Sequence, residues 1–221
     1  MSKLAARLEL QERQAPALAA RLAELLPLRG DERALDVGAG TGALAFALAQ
    51  RAGSVVALEL DAEAAAEARV AAPGNCEVIV GDGERLPFDD GSFDVGATLR
   101  MLHHTPHPEL VVAELARVTR PGGTVLVIDQ LGPEDPAAAL ELNRFERARD
   151  ASTTRVLAAS ELRALFDACG LELLREHEEG EPRDLESYLD FAGCEGEARE
   201  RARSLAPTGY EARVGWYVLA R

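Results

Sequence analysis

Several features that are common in other protein classes are scarce in this chain of 221 residues. It has three cysteines, Cys76, Cys169 and Cys194, which are scattered and form no C-x-x-C pair. This spacing argues against a disulfide framework and against a structural zinc site, so we predict no metal site. Lysine occurs once, at Lys3, and arginine carries nearly all the positive charge.

Basic charge and long hydrophobic runs are also scarce. Asp and Glu number 38 against 24 for Lys and Arg, which gives a formal net charge of −14. That charge repels phosphate backbones, and it predicts a protein with no nucleic-acid partner. No run approaches 18 apolar residues, and the N-terminus lacks the apolar region of a signal peptide. We therefore predict a cytoplasmic protein with no membrane association.

What the chain does contain is a regular alternation of strand and helix patterns. The length and the hydrophobic content of 47% suffice for an α/β domain with a large core. Strands are predicted at 33–37, 55–59, 77–80, 93–99 and 124–129. Helices are predicted at 42–51, 62–71 and 108–119. This alternation predicts right-handed βαβ units and a parallel sheet.

The regular alternation ends after Asp129. Further helices are predicted at 4–26, 136–149, 160–169 with Ser160 as N-cap, 185–191 and 195–206, and further strands at 171–176 and 210–220. We predict a single domain of residues 1–221, with a core at about 31–130 and 160–221. The irregular segments 1–27, 131–155 and 178–211 are expected to supply the lid of a substrate site.

Glycines and acidic residues stand at the predicted strand ends. Gly38-Ala39-Gly40-Thr41-Gly42-Ala43 follows the first strand and fits the pattern G-x-G-x-x-[GA]. Glu59 ends the second strand, and Asp82 follows the third. Such carboxylates can accept hydrogen bonds from ribose hydroxyls and from an amine, and the glycines allow a ligand to approach the backbone. The layout predicts a nucleoside-containing ligand at the carboxyl edge of the sheet. The alternative is that the glycines form only a tight turn and that Glu59 and Asp82 are ordinary solvated side chains.

Taken together, these motifs resemble the class I S-adenosylmethionine-dependent methyltransferases. The resemblance covers roughly residues 33–130, and its further landmarks are Gly81–Phe88, Leu102-His103-His104 and Arg120–Gly123. Segment 143–155 is similar to the ubiquinone and menaquinone C-methyltransferase type, although the histidine of that type near Thr153 is absent. The resemblance implies S-adenosylmethionine as cofactor. It also implies a Rossmann-like, seven-stranded, mostly parallel sheet with helices on both faces and an antiparallel last strand.

The resemblance also implies a set of cofactor-binding residues. These are Asp36, Gly38, Gly40, Gly42, Glu59, Leu60, Asp82, Gly83 and Leu99. Glu59 is expected to hold the ribose hydroxyls and Asp82 the adenine amine, while Leu60 and the loop near Leu86 cover the adenine ring. Asp36 is expected either to pair with backbone amides of its own turn or to contact the methionine moiety.

His103, His104 and Arg100 are the candidate catalytic residues. We expect one histidine to stabilise its loop and the other to accept a proton, because an imidazole pKa of about 6.5 suits neutral pH. Arg100 is expected to form a structural salt bridge or to hold a substrate oxyanion.

The expected function is methyl transfer from S-adenosylmethionine to a small, partly apolar molecule. Two alternatives are an NAD(P)-dependent oxidoreductase, for which little chain remains as a substrate domain, and a non-catalytic nucleoside-binding protein. We expect a closed acceptor cavity lined by the His103–His104 loop, the 140–150 segment and the N-terminal helix. The acceptor, the methylated atom and the oligomeric state stay open, with a homodimer as one option.

Overall fold

Seven strands form one sheet in the computed structural model, which describes residues 3–207 and 211–221. The strands are β1 (Arg33–Val37), β2 (Ser54–Glu59), β3 (Cys76–Val80), β4 (Phe93–Leu99), β5 (Thr119–Leu131), β6 (Glu172–Glu181) and β7 (Ala212–Ala220). The helices are α1 (Lys3–Leu25), α2 (Ala43–Ala49), α3 (Ala62–Ala71), α4 (Pro108–Val118), α5 (Pro136–Arg149), α6 (Ala159–Ala168), α7 (Leu185–Ala192) and α8 (Gly196–Leu205).

The sheet has the order β3-β2-β1-β4-β5-β7-β6. Strands β1 to β5 pair in parallel, whereas β7 is antiparallel to both β5 and β6. Strand β6 therefore runs in the same direction as β5, and six strands end at one carboxyl edge. This arrangement confirms the predicted Rossmann-like, mostly parallel sheet with an antiparallel last strand.

Apolar side chains cover both faces of the sheet, as expected for parallel strands that are buried on two sides. In β1, Ala34 packs with α1, α2 and α3, while Leu35 packs with α4 and α6 on the opposite face. The same alternation continues in β2 with Val55 and Val56, because successive side chains of a strand point to opposite faces. Helices consequently lie on both faces.

Helices α5, α7 and α8 have an apolar cluster of their own. Phe145 of α5, Leu189 of α7 and Ala202 of α8 are fully buried in this cluster, together with Val156. The parts of the predicted lid that form α5, α7 and α8 thus pack on one another. Helix α5 has the predicted bounds of residues 136–149.

Two strands are longer than predicted. Strand β5 extends to Leu131 and β6 extends to Glu181. Both extensions form because each strand pairs with the long antiparallel strand β7. Leu131 pairs with Arg213, and Glu181 pairs with Ala212. The predicted start of the last strand, Tyr210, lies outside the described residues.

The predicted N-cap of α6 is wrong. The helix begins one residue earlier, with Ala158 as N-cap, and the backbone N–H of Ala158 donates to Glu161 Oε2 at 2.9 Å. Ser160 lies inside the first turn, where its backbone N–H and its hydroxyl both donate to the carboxylate of Glu134. The sequence pattern assigned the Ser160 hydroxyl to N-capping. In the structure it donates to Glu134, 26 positions away in the chain.

No helix within the described ranges combines the length and the hydrophobicity needed to cross a bilayer.

The fold makes one prediction about stability at Tyr217 in β7. This side chain is fully buried beside Phe166, with ring centroids 5.1 Å apart, and its hydroxyl has no hydrogen-bond partner in the described part of the chain. Tyr217→Phe keeps the ring and removes an unpaired polar group. We expect the free energy of unfolding in urea to stay equal or to rise by about 1–2 kcal/mol. Phe166→Ala is the control, with an expected loss of about 3–5 kcal/mol. A loss above about 1 kcal/mol in Tyr217→Phe would contradict the prediction.

Candidate functional site

The glycine loop after β1 has a backbone that requires glycine. Gly38, Gly40 and Gly42 have φ angles of 74°, 56° and 96°, a region that other L-residues rarely adopt. A Cβ on Gly38 would lie 2.3 Å from Met101 Cγ, and one on Gly42 would lie 2.3 Å from Phe46 Cζ. A Cβ on Gly40 would meet no described atom within 4 Å. A ligand can therefore approach the loop most closely at Gly40.

Glu59 connects this loop to the end of β2. Its Oε2 accepts from the backbone N–H of Gly40 at 2.7 Å, and its Oε1 accepts from that of Asp61 at 2.8 Å. An ionised carboxylate has about four acceptor positions, so these two bonds leave room for two more donors. Leu60 follows with 67% of its surface exposed, an apolar side chain at the rim that suits the face of an aromatic ring.

The loop after β3 carries Asp82 and Gly83. Asp82 is exposed, and its Oδ1 accepts from the backbone N–H of Glu84 at 2.9 Å, as in an ordinary turn. Glu84 Oε1 in turn accepts from the hydroxyl of Thr105 at 2.6 Å, which joins this loop to the loop after β4. Gly83 is buried, and a Cβ there would lie 2.7 Å from a valine of β1. Leu99 is half-buried at the end of β4.

Asp36 is a buried carboxylate below the glycine loop. It is 1% exposed, and its Oδ2 accepts from the backbone N–H of Ala45 at 2.9 Å. Its Oδ1 is buried without a hydrogen-bond partner among the described residues. Burial raises the pKa of Asp36 to about 7. The hydrogen bond from Ala45 lowers this pKa, whereas the negative charge of Glu59 raises it further. An unpaired buried oxygen of this kind fits a ligand that brings a donor or a positive charge.

His103 follows β4 and is paired with a carboxylate at the end of β5. Its Nδ1 lies 2.5 Å from Asp129 Oδ1, and its backbone N–H donates to Asp129 Oδ2 at 3.2 Å. Both side chains are buried. Burial alone would raise the pKa of Asp129, but the charge and the hydrogen bond of His103 hold that pKa below its usual value. The ionised carboxylate can only accept, so Nδ1 of His103 carries a proton.

His104 has a different partner. Its Nδ1 lies 3.1 Å from the hydroxyl oxygen of Ser152, and that hydroxyl donates to Asp150 Oδ1 at 2.6 Å. Burial, and then the neighbouring charge of His103, lower the pKa of His104 to about 4, so this imidazole is neutral at neutral pH. The centroids of the two imidazole rings are 4.1 Å apart.

Arg100 lies in a left-handed conformation directly after β4, with a φ of 53°. Its Nη2 donates to Glu181 Oε2 at 2.8 Å, and Arg183 Nη2 donates to the same oxygen at 2.6 Å. Although burial opposes it, the two guanidinium groups lower the pKa of Glu181 to about 2. The geometry gives Arg100 a salt bridge, and its contact with a substrate oxyanion stays a prediction.

A buried polar network connects the His103 region to the lid. Gln130 follows Asp129 directly, and its Nε2 donates to Glu146 Oε1 at 2.7 Å. Glu146, in α5, also accepts from Arg149 Nε at 2.9 Å and from the hydroxyl of Tyr188 at 3.0 Å. The lid helices are thereby joined to the carboxyl edge of β5.

A narrow gap, too small to hold a water molecule, borders the candidate proton acceptor. It is lined by Leu102, His103, Asp129, Gln130, Leu157 and Leu162. The 140–150 segment does not line this space, and the larger acceptor cavity bounded by α1 stays a prediction. Helix α1 does reach the site, because the hydroxyl of Thr41 donates to Gln11 Oε1 at 2.5 Å. In the described part of the chain, no three His, Cys, Asp or Glu side chains are arranged to bind a metal ion.

The sequence reasoning missed Asp129, Met101 and Gln11 as site residues. Asp129 carried a readable signal, since it ends the predicted apolar strand 124–129 in the same way as Glu59 ends the strand 55–59. Met101 and Gln11 carried none, because their contacts with Gly38 and Thr41 arise only from the folded arrangement of α1 and the loops.

A family model described as a methyltransferase domain matches residues 35–127, from β1 into β5. The 27-O-demethylrifamycin SV methyltransferase of Amycolatopsis mediterranei is 36% identical over 160 residues, which are 69% of this chain and 58% of that protein. The demethylmenaquinone methyltransferase of Clavibacter sepedonicus is 31% identical over 172 residues, 76% of this chain and 66% of that protein. The chain thus spans less than two thirds of the length of these curated relatives.

Among solved structures, a candidate methyltransferase of Bacillus halodurans superposes with a TM-score of 0.84 at 27% identity, and the match covers 91% of this chain and 97% of that one. The matched family region contains the glycine loop, Glu59 and Asp82, whose arrangement suits a nucleoside-containing ligand. Family, fold and strand-end geometry agree with the resemblance seen in the motifs. The chain belongs to the class I S-adenosylmethionine-dependent methyltransferases, and its cofactor is S-adenosylmethionine.

Proposed function

We propose that the protein transfers the methyl group of S-adenosylmethionine to a small, partly apolar molecule, and that His103 accepts a proton from that molecule. The observation that carries this proposal is the buried pair of His103 and Asp129 at the ends of β4 and β5. The names of two relatives, which act on a rifamycin and on demethylmenaquinone, support a small-molecule acceptor. The acidic net charge of −14 argues against a nucleic-acid acceptor.

The cofactor would lie along the glycine loop. The carboxylate of Glu59 is held in place by two backbone amides and would accept from the ribose hydroxyls. Leu60 would cover one face of the adenine, and Asp82 would accept from its amine. Asp36 would place its unpaired Oδ1 toward the positively charged methionine end.

The bound cofactor supplies a methyl group that its sulfonium already activates. The protein must then mainly align the acceptor atom with that methyl group, and orientation of this kind lowers a barrier by about 7–11 kcal/mol. Asp129 holds the imidazole of His103 through Nδ1, and Nε2 of that ring would accept the proton. Helices α5 and α7 would exclude water from this region.

The cofactor prediction concerns Glu59. Glu59→Ala should weaken the binding of S-adenosylmethionine by about 2–3 kcal/mol, because two donors lose a charged acceptor. Isothermal titration calorimetry measures the loss. Glu63→Ala, an exposed residue on α3, is the matched control and should bind like the parent. A change smaller than about threefold in Glu59→Ala would remove Glu59 from the site.

A second prediction concerns the pH dependence of stability. The pKa of Asp36 is raised from 3.8 to about 7 in the folded protein, so between these values the native state keeps a proton that the unfolded chain has lost. The free energy of unfolding should therefore fall as the pH rises from about 4 to 7. Asp36→Asn cannot ionise and should lack this part of the fall.

Urea unfolding of the cofactor-free parent and of Asp36→Asn at pH 5 and pH 8 measures the effect. The change in unfolding free energy between the two pH values should differ between the proteins by about 1–4 kcal/mol. Because only the change in unfolding free energy between the two pH values is compared, any pH-independent effect of replacing the carboxylate by an amide cancels. Equal changes in both proteins would show that Asp36 is ionised throughout.

The activity itself is tested in two steps. First, the protein is incubated with S-adenosylmethionine and a broad panel of small acceptors, and S-adenosylhomocysteine is measured. Formation that depends on an acceptor is the expected result. Cofactor binding without turnover on any panel member would favour the non-catalytic alternative.

Second, His103→Ala is compared with the parent on the best acceptor. Turnover should fall by about 10²–10⁴-fold, as for the loss of a general base, with cofactor affinity unchanged within about threefold. Asp129→Asn should also lower turnover, by about 10-fold or more, because the ring loses the carboxylate that orients it. Parent-like turnover in His103→Ala would refute the role of His103.

A further inference from the structure

We propose that Glu114 and Arg117, both on α4, position the segment 82–91, the adenine loop, and that Asp82 distinguishes adenine from other purine bases only while they do so. This inference rests on the proposed function, in which Asp82 accepts from the adenine amine. It adds two positioning residues to the cofactor site, which act through the backbone of the loop.

The second half of the adenine loop folds around Arg117. Nη2 of this side chain donates to the carbonyl oxygen of Leu86 at 3.1 Å, and Nη1 donates to that of Phe88 at 2.8 Å. Nη1 also donates to Asp90 Oδ1 at 2.8 Å. The backbone carbonyl of Arg117 accepts from the backbone N–H of Gly91 at 3.0 Å. A single residue of α4 therefore holds the loop at four places.

Glu114 fixes the guanidinium and the loop together. Its Oε1 and Oε2 accept from Nε and Nη2 of Arg117 at 2.7 and 2.8 Å, because residues three positions apart share one face of a helix. Oε2 also accepts from the backbone N–H of Leu86 at 2.7 Å. The hydrogen bonds of Arg117 hold the pKa of Glu114 below its usual value, although burial opposes this. The carboxylate is thus ionised at neutral pH, and the two-pronged pair has a fixed orientation.

The part of the loop that this pair holds is next to the turn that carries Asp82. In that turn the backbone N–H of Arg85 donates to the carbonyl oxygen of Asp82 at 3.2 Å. Leu86, which is held at both its N–H and its carbonyl, follows Arg85 directly. A displacement of Leu86 would therefore move the turn.

The carboxylate of Asp82 depends on this turn for its orientation. Among the described residues it has one hydrogen bond, from the backbone N–H of Glu84 to Oδ1 at 2.9 Å, and the side chain is exposed. Its other oxygen is left for the adenine amine. Since no further side chain holds the carboxylate, the backbone of the loop determines where that oxygen points.

The base itself makes this positioning measurable. Adenine has an amine donor at C6, whereas hypoxanthine has a carbonyl oxygen there. A carboxylate accepts from the amine but repels the carbonyl oxygen. The ratio of the Kd of S-inosylhomocysteine to the Kd of S-adenosylhomocysteine, the base ratio, therefore measures how well Asp82 is placed. A general loosening of the protein would weaken the binding of both ligands alike.

Calorimetric titration of the 221-residue chain with both ligands tests the inference. The base ratio of the parent should be about 10 or more, the effect of one hydrogen bond to a charged group. Asp82→Asn should lower the ratio by about threefold or more, because an amide can also donate to the carbonyl of hypoxanthine. Arg117→Gln should lower it by about threefold or more, because Asp82 is then misplaced.

The conservative variant separates positioning from a simple ion pair. Arg117→Lys keeps the positive charge beside Glu114, but one ammonium lacks the planar fork that holds Glu114 and the two loop carbonyls together. It should therefore lower the base ratio as Arg117→Gln does. A residue that only supplied charge would keep the ratio in Arg117→Lys.

Two control variants should keep the base ratio of the parent. Asp90→Ala removes an exposed partner of Arg117 and leaves both loop carbonyls held. Arg163→Gln breaks a comparable two-pronged pair, in which Nε and Nη2 donate to Glu176 at 3.0 and 2.9 Å. Arg163 lies on α6, outside the adenine loop and the helix that holds it.

The results separate this inference from the proposed adenine contact. A parent ratio below about 3, or an Asp82→Asn ratio equal to that of the parent, would remove Asp82 from the adenine contact and this inference with it. A ratio that falls in Asp82→Asn but not in Arg117→Gln or Arg117→Lys would overturn this inference alone, as would an equal fall in Arg163→Gln. If Arg117→Gln fails to fold, judged by its thermal unfolding, Arg117→Lys and Glu114→Gln decide. Methyl transfer is tested separately by the acceptor panel.

Discussion

A buried carboxylate needs hydrogen-bond donors, and the acceptor side of this site depends on how Asp129 obtains them. It takes two from His103, through the ring and the backbone, and one from the backbone of Gln130 at 2.7 Å. The side chain of Gln130 continues to Glu146 in α5. Asp129 therefore positions the histidine loop. Its neighbour Gln130 connects the lid to the sheet.

Glu59 and Asp36, the two carboxylates beside the glycine loop, differ in their hydrogen bonding. Glu59 is paired at both oxygens, so it holds the glycine loop against β2. Asp36 keeps one buried oxygen unpaired, and burial raises its pKa to about 7. Such a group costs stability in the free protein. Native proteins tolerate local conflicts of this kind mainly at functional sites. Asp129, in contrast, has hydrogen-bond donors at both oxygens.

The sheet region and the helical segment after it differ in their packing and in their match to the family. The sheet and its loops, within residues 35–127, match the family model, and they contain the residues that we propose for the cofactor. Helices α5, α7 and α8 have their own cluster around Phe145 and Leu189, separate from the clusters on the sheet. The proposed cofactor residues lie in motifs of the matched region, whereas the surroundings of His103 depend on contacts between distant segments.

The sequence by itself determined the strands β1 to β4, the glycine loop and the acid at the end of β2, because these depend on side-chain periodicity and on residues a few positions apart. The motifs of the family added the strand order at the antiparallel edge. Only the tertiary structure decided that His103 meets Asp129, 26 positions away, and that His104 meets Ser152, 48 positions away. Such pairings depend on which strands are neighbours and where their ends lie. No local pattern encodes that, and the unpaired oxygen of Asp36 is likewise a property of its surroundings rather than of its motif.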